Sequence, residues 1–135
     1  MQDALRDDAL TSTAAGFALR IGLPWIRSLP LSGIGDLSVT VDGEPVDVRV
    51  ALGGRGLAPS DLAGARSWWY LQDRLVLEAD RALAPGGHDV VVTFRTRIPY
   101  LMAGPDGGPL ELPMRLAARL ELDHAARPSV SLDVA

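Results

Sequence analysis

No cysteine occurs in the 135 residues, which removes disulfide frameworks, thiolate zinc sites and thiol nucleophiles from consideration. Lysine and asparagine are also missing, so all thirteen cationic side chains are arginine, as expected of a GC-rich genome. Histidine is nearly absent: neither His88, beside a Gly-Gly turn, nor His124 has metal-ligand spacing to a second histidine or a glutamate. Both are expected to be merely solvated. No apolar run approaches the roughly eighteen residues of a membrane span, and Met1 to Asp8 is acidic where a secretory signal would be basic. These absences lead to the expectation of a cytoplasmic protein with no membrane contact. The net charge of -4 and pI near 5.0, with arginines scattered among acids, leave no basic stripe for nucleic acid.

What remains is enough for one core without staples, since a chain of this size buries roughly two-thirds of its unfolded surface. The mean hydropathy of +0.14 is high for a small soluble domain and points to a surface buried by a partner. One pattern occurs twice. Arg20-Ile21-Gly22-Leu23-Pro24-Trp25 and Arg95-Thr96-Arg97-Ile98-Pro99-Tyr100 are alternating runs that end in aliphatic-Pro-aromatic. Proline has no N–H for a ladder and holds the residue before it extended, so each run reads as a strand that stops and carries an aromatic to the sheet rim.

Residues 1–15 lack period-two alternation and read as a flexible leader, with one folded domain over 16–135. Within it, Phe17 to Leu23 alternates as a half-buried strand. Leu37 to Val41 and Val46 to Leu52 flank Asp42-Gly43 as a hairpin. Gly53-Gly54-Arg55-Gly56 reads as a loop, and Pro59 to Ala63 as one helical turn with Ser60 as a possible cap. Trp68-Trp69-Tyr70, Arg74 to Asp80 and His88 to Ile98 follow as extended segments, with a turn at Pro85-Gly86-Gly87. Leu110 to Leu122 is rich in helix formers yet alternates strictly, and periodicity is the stronger signal, so it is assigned as a strand. Val130, Leu132 and Val134 close the series. Seven to nine short strands between Gly/Pro turns predict an all-β, antiparallel β-sandwich, jelly-roll-like, with one short helical turn.

Little here suggests chemistry. No serine lies in a Gly-x-Ser-x-Gly elbow, and the glycine-rich loop lacks both the phosphate-binding lysine and the dinucleotide spacing. Glu121 and Asp123, two apart beside Arg119, read as a solvated mixed-charge face. The Trp68-Trp69-Tyr70 run can fill a core, stack a sugar or hold a protein interface. Three classes of function stay open on the residues alone: a partner-docking subunit, a stand-alone carbohydrate-binding module using those three rings, and a self-assembling structural module.

In order and spacing, the segments Leu23-Pro24-Trp25-Ile26-Arg27-Ser28-Leu29-Pro30-Leu31-Ser32, Val39 to Val46, Gly53-Gly54-Arg55, Trp68-Trp69, Pro85-Gly86-Gly87-His88 and Arg97-Ile98-Pro99-Tyr100 resemble the small β subunit of bacterial C-glycoside deglycosidases. The resemblance covers roughly residues 16 to 122. It departs at Trp25-Ile26, where two aromatics are expected, and at Ser28, where glycine is. It implies a hetero-oligomer with a larger α subunit, a sugar-isomerase-like TIM barrel holding a divalent metal, manganese in most members. That complex cleaves the carbon–carbon bond between a 3-oxo sugar and an aromatic aglycone. The chain itself is then accessory, with no catalytic, metal or cofactor residue of its own. The expected docking or active-site-mouth residues are Arg20, Pro24, Trp25, Arg27, Pro30, Arg55, Trp68, Pro99 and Tyr100.

Overall fold

The computed structural model describes residues 4–102, 104, 106–124 and 133–134. In chain order the strands are β1 (Leu10–Ser12), β2 (Phe17–Gly22), β3 (Leu29–Pro30), β4 (Ile34–Val41), β5 (Glu44–Val46), β6 (Arg49–Leu52), β7 (Arg55–Leu57), β8 (Trp68–Trp69), β9 (Arg74–Ala79), β10 (Gly87–Ile98) and β11 (Leu110–Glu121). They form a five-stranded sheet in the order β1-β2-β9-β6-β7, a four-stranded sheet in the order β11-β10-β4-β5, and the small pair β3-β8. Every strand pairing is antiparallel. The protein is all-β, with short 3-10 turns at Leu31–Gly33 and Pro59–Gly64.

Alternation builds the core. Val90, Val92, Phe94, Thr96 and Ile98 of β10 are buried, and Asp89, Arg95 and Arg97 are exposed, as period two demands. Val90, Val92, Phe94 and Ile98 join Phe17, Leu19, Ile21, Leu75 and Leu77 of the other sheet in one hydrophobic cluster. Trp69 is fully buried between them, with its ring centroid 6.1 Å from that of Phe94. Its indole N–H donates to the Asp73 carbonyl at 3.1 Å, which satisfies the one polar group that burial would orphan.

The hairpin at Asp42-Gly43 forms as expected, with Val41 opposite Glu44 and φ of 52° and 81° at the two turn residues. Glycine suits this two-residue turn because both central residues adopt positive φ. The second arm is shorter than the sequence pattern suggests. Only Glu44–Val46 pairs with β4; the chain then crosses at Asp47-Val48 to the other sheet, where Arg49, Val50 and Ala51 pair with β9. Gly53-Gly54 is the turn of a second hairpin rather than part of a loop, since Leu52 is opposite Arg55. The second 3-10 turn starts from Ala58 with Pro59 in its first turn and no side-chain cap, so Ser60 does not cap it. Leu110–Glu121 is a strand throughout, paired with β10 over its whole length.

Of residues 1–15, expected as a loose leader, 4–11 are packed instead, while 12–15 are exposed. Leu5, Ala9 and Leu10 are buried, β1 pairs with β2, and Asp8 meets Arg74 at 3.0 Å with both side chains largely shielded. β2 is covered on both faces and is not half-buried: Ala18 is buried as well as Phe17, Leu19 and Ile21. Val134, buried, and Asp133, bridged to Arg74, lie beside Ala18 and Val76 on the outer side of that sheet. Val130 and Leu132 lie outside the described residues.

Candidate functional site

The two proline-terminated runs end side by side. β2 stops at Gly22 and β10 at Ile98, and the aromatics that follow meet: Trp25 Nε1 donates to Tyr100 Oη at 2.5 Å. The Arg27 guanidinium lies over the Tyr100 ring, 5.2 Å from its centroid, a favourable place for a cation on a π-face. Ser28 Oγ accepts from the Leu71 N–H at 2.7 Å, and Pro30 is opposite Trp68 across the β3-β8 pair. Segments 24–30, 68–71 and 98–102 are thereby tied together at one end of the fold.

That end carries the exposed apolar side chains. Among the described residues, the large hydrophobics that face solvent are Ile26, Trp68, Tyr70, Leu71, Tyr100, Leu101 and Met102, all within those three segments. Ile26 and Met102 are 67% and 63% exposed, whereas elsewhere among the described residues every leucine and valine is buried or half-buried. Scattered exposed leucines are ordinary, but a contiguous group is the signature of an interaction surface.

Of the nine residues expected at this surface, Pro24, Trp25, Arg27, Pro30, Trp68, Pro99 and Tyr100 fall within it. Arg55 stands at the β6–β7 hairpin, at the same end of the five-stranded sheet but separated from β2 by β6 and β9. Arg20 is elsewhere. On the outer face of β2 its Nε binds Asp133 at 3.0 Å and its Nη1 donates to Thr11 at 3.3 Å, on the wall of an open, mixed-polarity cavity of about 420 Å³. Ile26, Leu71, Leu101 and Met102 were not anticipated. Their one sequence signal is that each lies in or beside a turn, past the end of a strand pattern, where a large apolar residue has no core to face.

The three-ring platform does not exist as such. Trp69 belongs to the core, while Trp68 and Tyr70 face outward, as alternation along an extended segment requires.

The opposite end is polar and closed. Both nitrogens of the buried His88 face acceptors, Asp42 Oδ2 and the Ala84 carbonyl, each at 2.7 Å, which corrects the expectation of a solvated ring. The bond to Asp42 and the Ala84 carbonyl hold the imidazole pKa above its ordinary value of 6.5. Asp42 is held below its usual range chiefly by the same histidine, and then by the Asp89 N–H. Nearby, the Asp123 carboxylate takes two bonds from Ser12, one from its hydroxyl at 2.6 Å and one from its N–H at 2.7 Å, which lowers its pKa and links β1 to the turn after β11. Among the described residues no group of three or more potential ligands could hold a metal ion. His88, with both nitrogens engaged, does not fit one.

The C-glycoside deglycosidase beta subunit family matches residues 1–100, a span that includes the packed N-terminal stretch and ends at Tyr100. A 3'-dehydrocarminate deglycosidase beta subunit from Microbacterium sp is 42% identical over 110 residues, covering 78% of this chain and 82% of that protein. A C-glycoside deglycosidase beta subunit from Microbacterium trichothecenolyticum is 31% identical over 63% of this chain and 69% of its own length. One from Arthrobacter globiformis is 29% identical over 74% of this chain and 81% of that protein. On the family match and these relatives together, the chain belongs to the C-glycoside deglycosidase β-subunit family.

Proposed function

We propose that this chain is the accessory subunit of a complex that removes an aromatic aglycone from a 3-oxo C-glycoside, and that its aromatic rim docks on a metal-dependent, barrel-shaped α subunit. The observation that carries this reading is the gathering of exposed apolar side chains at one end, around Trp25, Arg27 and Tyr100. Tryptophan, tyrosine and arginine dominate interface energetics, and rings held by a hydrogen bond and a stacked guanidinium lose little freedom on binding. The four-stranded sheet and the core hold them in place before the partner arrives.

The reaction belongs to the α subunit in this proposal. The 3-oxo group acidifies the hydrogen at C2 of the sugar. A base removes that proton, the C1–aryl bond breaks as a C1–C2 double bond forms, and the aryl carbon takes up a proton. The divalent metal in the α subunit would supply polarisation of the ketone. Among the described residues of this chain no group of three or more potential ligands could hold a metal ion, and in this proposal its contribution is to shape the mouth of the site. The likeness to a 3'-dehydrocarminate deglycosidase subunit makes 3'-dehydrocarminate the first substrate to assay. The cytoplasmic setting expected from the sequence is part of the same proposal.

The test is co-expression with an α subunit, followed by size-exclusion chromatography. A single complex is expected, and Ile26→Asp with Met102→Asp should weaken it at least about tenfold, since a charge buried without a partner is costly. Separate elution of the two wild-type chains at micromolar concentration overturns the reading.

A further inference from the structure

Away from the rim, β11 is the last strand of its sheet, and among the described residues its outer edge pairs with no other strand. Leu122 donates its N–H to Gly86, so the even-numbered residues of β11 point their backbone groups at β10. The odd-numbered ones, from Glu111 to Glu121, point theirs outward. Pro113 is one of these, and its missing N–H blunts the edge near the rim. From Arg115 to Glu121 the edge is unblunted. Those outward residues are exposed, and the even-numbered side chains Leu112, Met114, Leu116 and Ala118 remain only half-buried on the core face. A long free edge with apolar side chains invites another strand.

We infer that this edge pairs with the same edge of a second copy, antiparallel, about a two-fold axis at Ala118. That register places Arg115 opposite the second copy's Glu121 twice, Ala117 opposite Arg119, and on the core face Leu116 opposite Leu120 and Met114 opposite Leu122. Arg115 and Glu121 have no ion-pair partner of their own among the described residues, whereas Arg119 has Asp89 and Glu111 faces Arg95 and Arg97. The pairing joins the two charges of β11 that have no ion pair among the described residues. Other registers are worse: an axis at Ala117 sets Arg115 against Arg119, and one at Arg119 sets that residue against itself, like charges directly opposed. The small Ala118 suits the close approach at a non-hydrogen-bonded pair on the axis. The stretch 115–121 lies towards the Gly87 end of the sheet, away from the Ile98 end, so the dimer leaves both rims open.

Sedimentation velocity of the full chain at about 100 μM is the experiment, a concentration at which weak but specific contacts are populated. A dimer is expected. Arg115→Glu should weaken it at least about tenfold, because two like-charge pairs replace two opposite ones, and adding Glu121→Arg should restore it. Ala117→Pro, which removes an outward N–H without touching the β10 ladder, should also give a monomer. Circular dichroism checks that each variant is folded. A wild-type chain that stays monomeric overturns the proposal. So does a dimer indifferent to both Arg115→Glu and Ala117→Pro, since it must then form elsewhere, and so does failure of the double reversal to recover what the single one loses. None of these outcomes depends on an α subunit, so the rim proposal stands or falls separately.

Discussion

His88 shows how much a single side chain can be committed. Its two ring nitrogens face a carboxylate and a carbonyl, both acceptors, so only the doubly protonated ring satisfies both. A group whose pKa is raised on folding adds stability that is complete below its unfolded value and disappears as pH rises through the folded value. Asp42, lowered on folding, adds stability above its unfolded value and loses it as pH falls through the folded one. The pair therefore stabilises most between the acid limb of Asp42 and the neutral limb of His88. The imidazole is expected to titrate above 6.5 by proton NMR, and the thermal midpoint should decline as pH rises past that titration. His88→Gln should remove that decline; an unchanged pH profile in the variant contradicts this account. At the core, Trp69→Ala is expected to cost about 3–5 kcal/mol in urea unfolding, in the range for a large aromatic truncated inside a packed interior.

Among the elements, the strands with one buried face were the legible ones. β10 alternates buried and exposed side chains from His88 to Ile98, and β11 keeps period two in spite of its helix formers, because each strand presents one side to the core. Segments lacking that asymmetry were misread. β1 has three residues and no room to alternate, and Asp47-Val48 carries no glycine or proline to announce that the chain changes sheets. The consequence for β1 is testable. Deleting residues 1–12 should destabilise the fold by about 3–6 kcal/mol, the burial value of Leu5 and Leu10 together, and leave β2 as an unpaired edge. A truncated chain as stable as the full one would mean that this stretch is ornament. In the β4–β5 hairpin, Gly43→Ala is expected to cost about 1–2 kcal/mol in denaturant titration, since φ is 81° there.

For the molecule as a whole, the fold separates a closed polar end from an open apolar one. The prolines in the repeated pattern identified the strand stops, but the meeting of Trp25 with Tyr100 spans 75 positions and belongs to tertiary structure, beyond the reach of local periodicity. The exposed neighbours Ile26, Leu101 and Met102 were hidden for the same reason. Because these residues lie outside the core, Ile26→Asp and Met102→Asp should leave the thermal midpoint within about 2 °C of the parent, the shift of a surface change of a few tenths of a kcal/mol. A large drop would show that they hold the fold together, and docking would need another surface.

The placement of the three indoles has a practical corollary. Trp69 is enclosed, while Trp25 and Trp68 stand at the apolar end, half-buried and exposed. Emission from Trp69 therefore reports unfolding, and quenching of the other two by added iodide reports whether that end is covered. The native chain thus carries separate optical gauges for integrity and occupancy, readable without any attached dye.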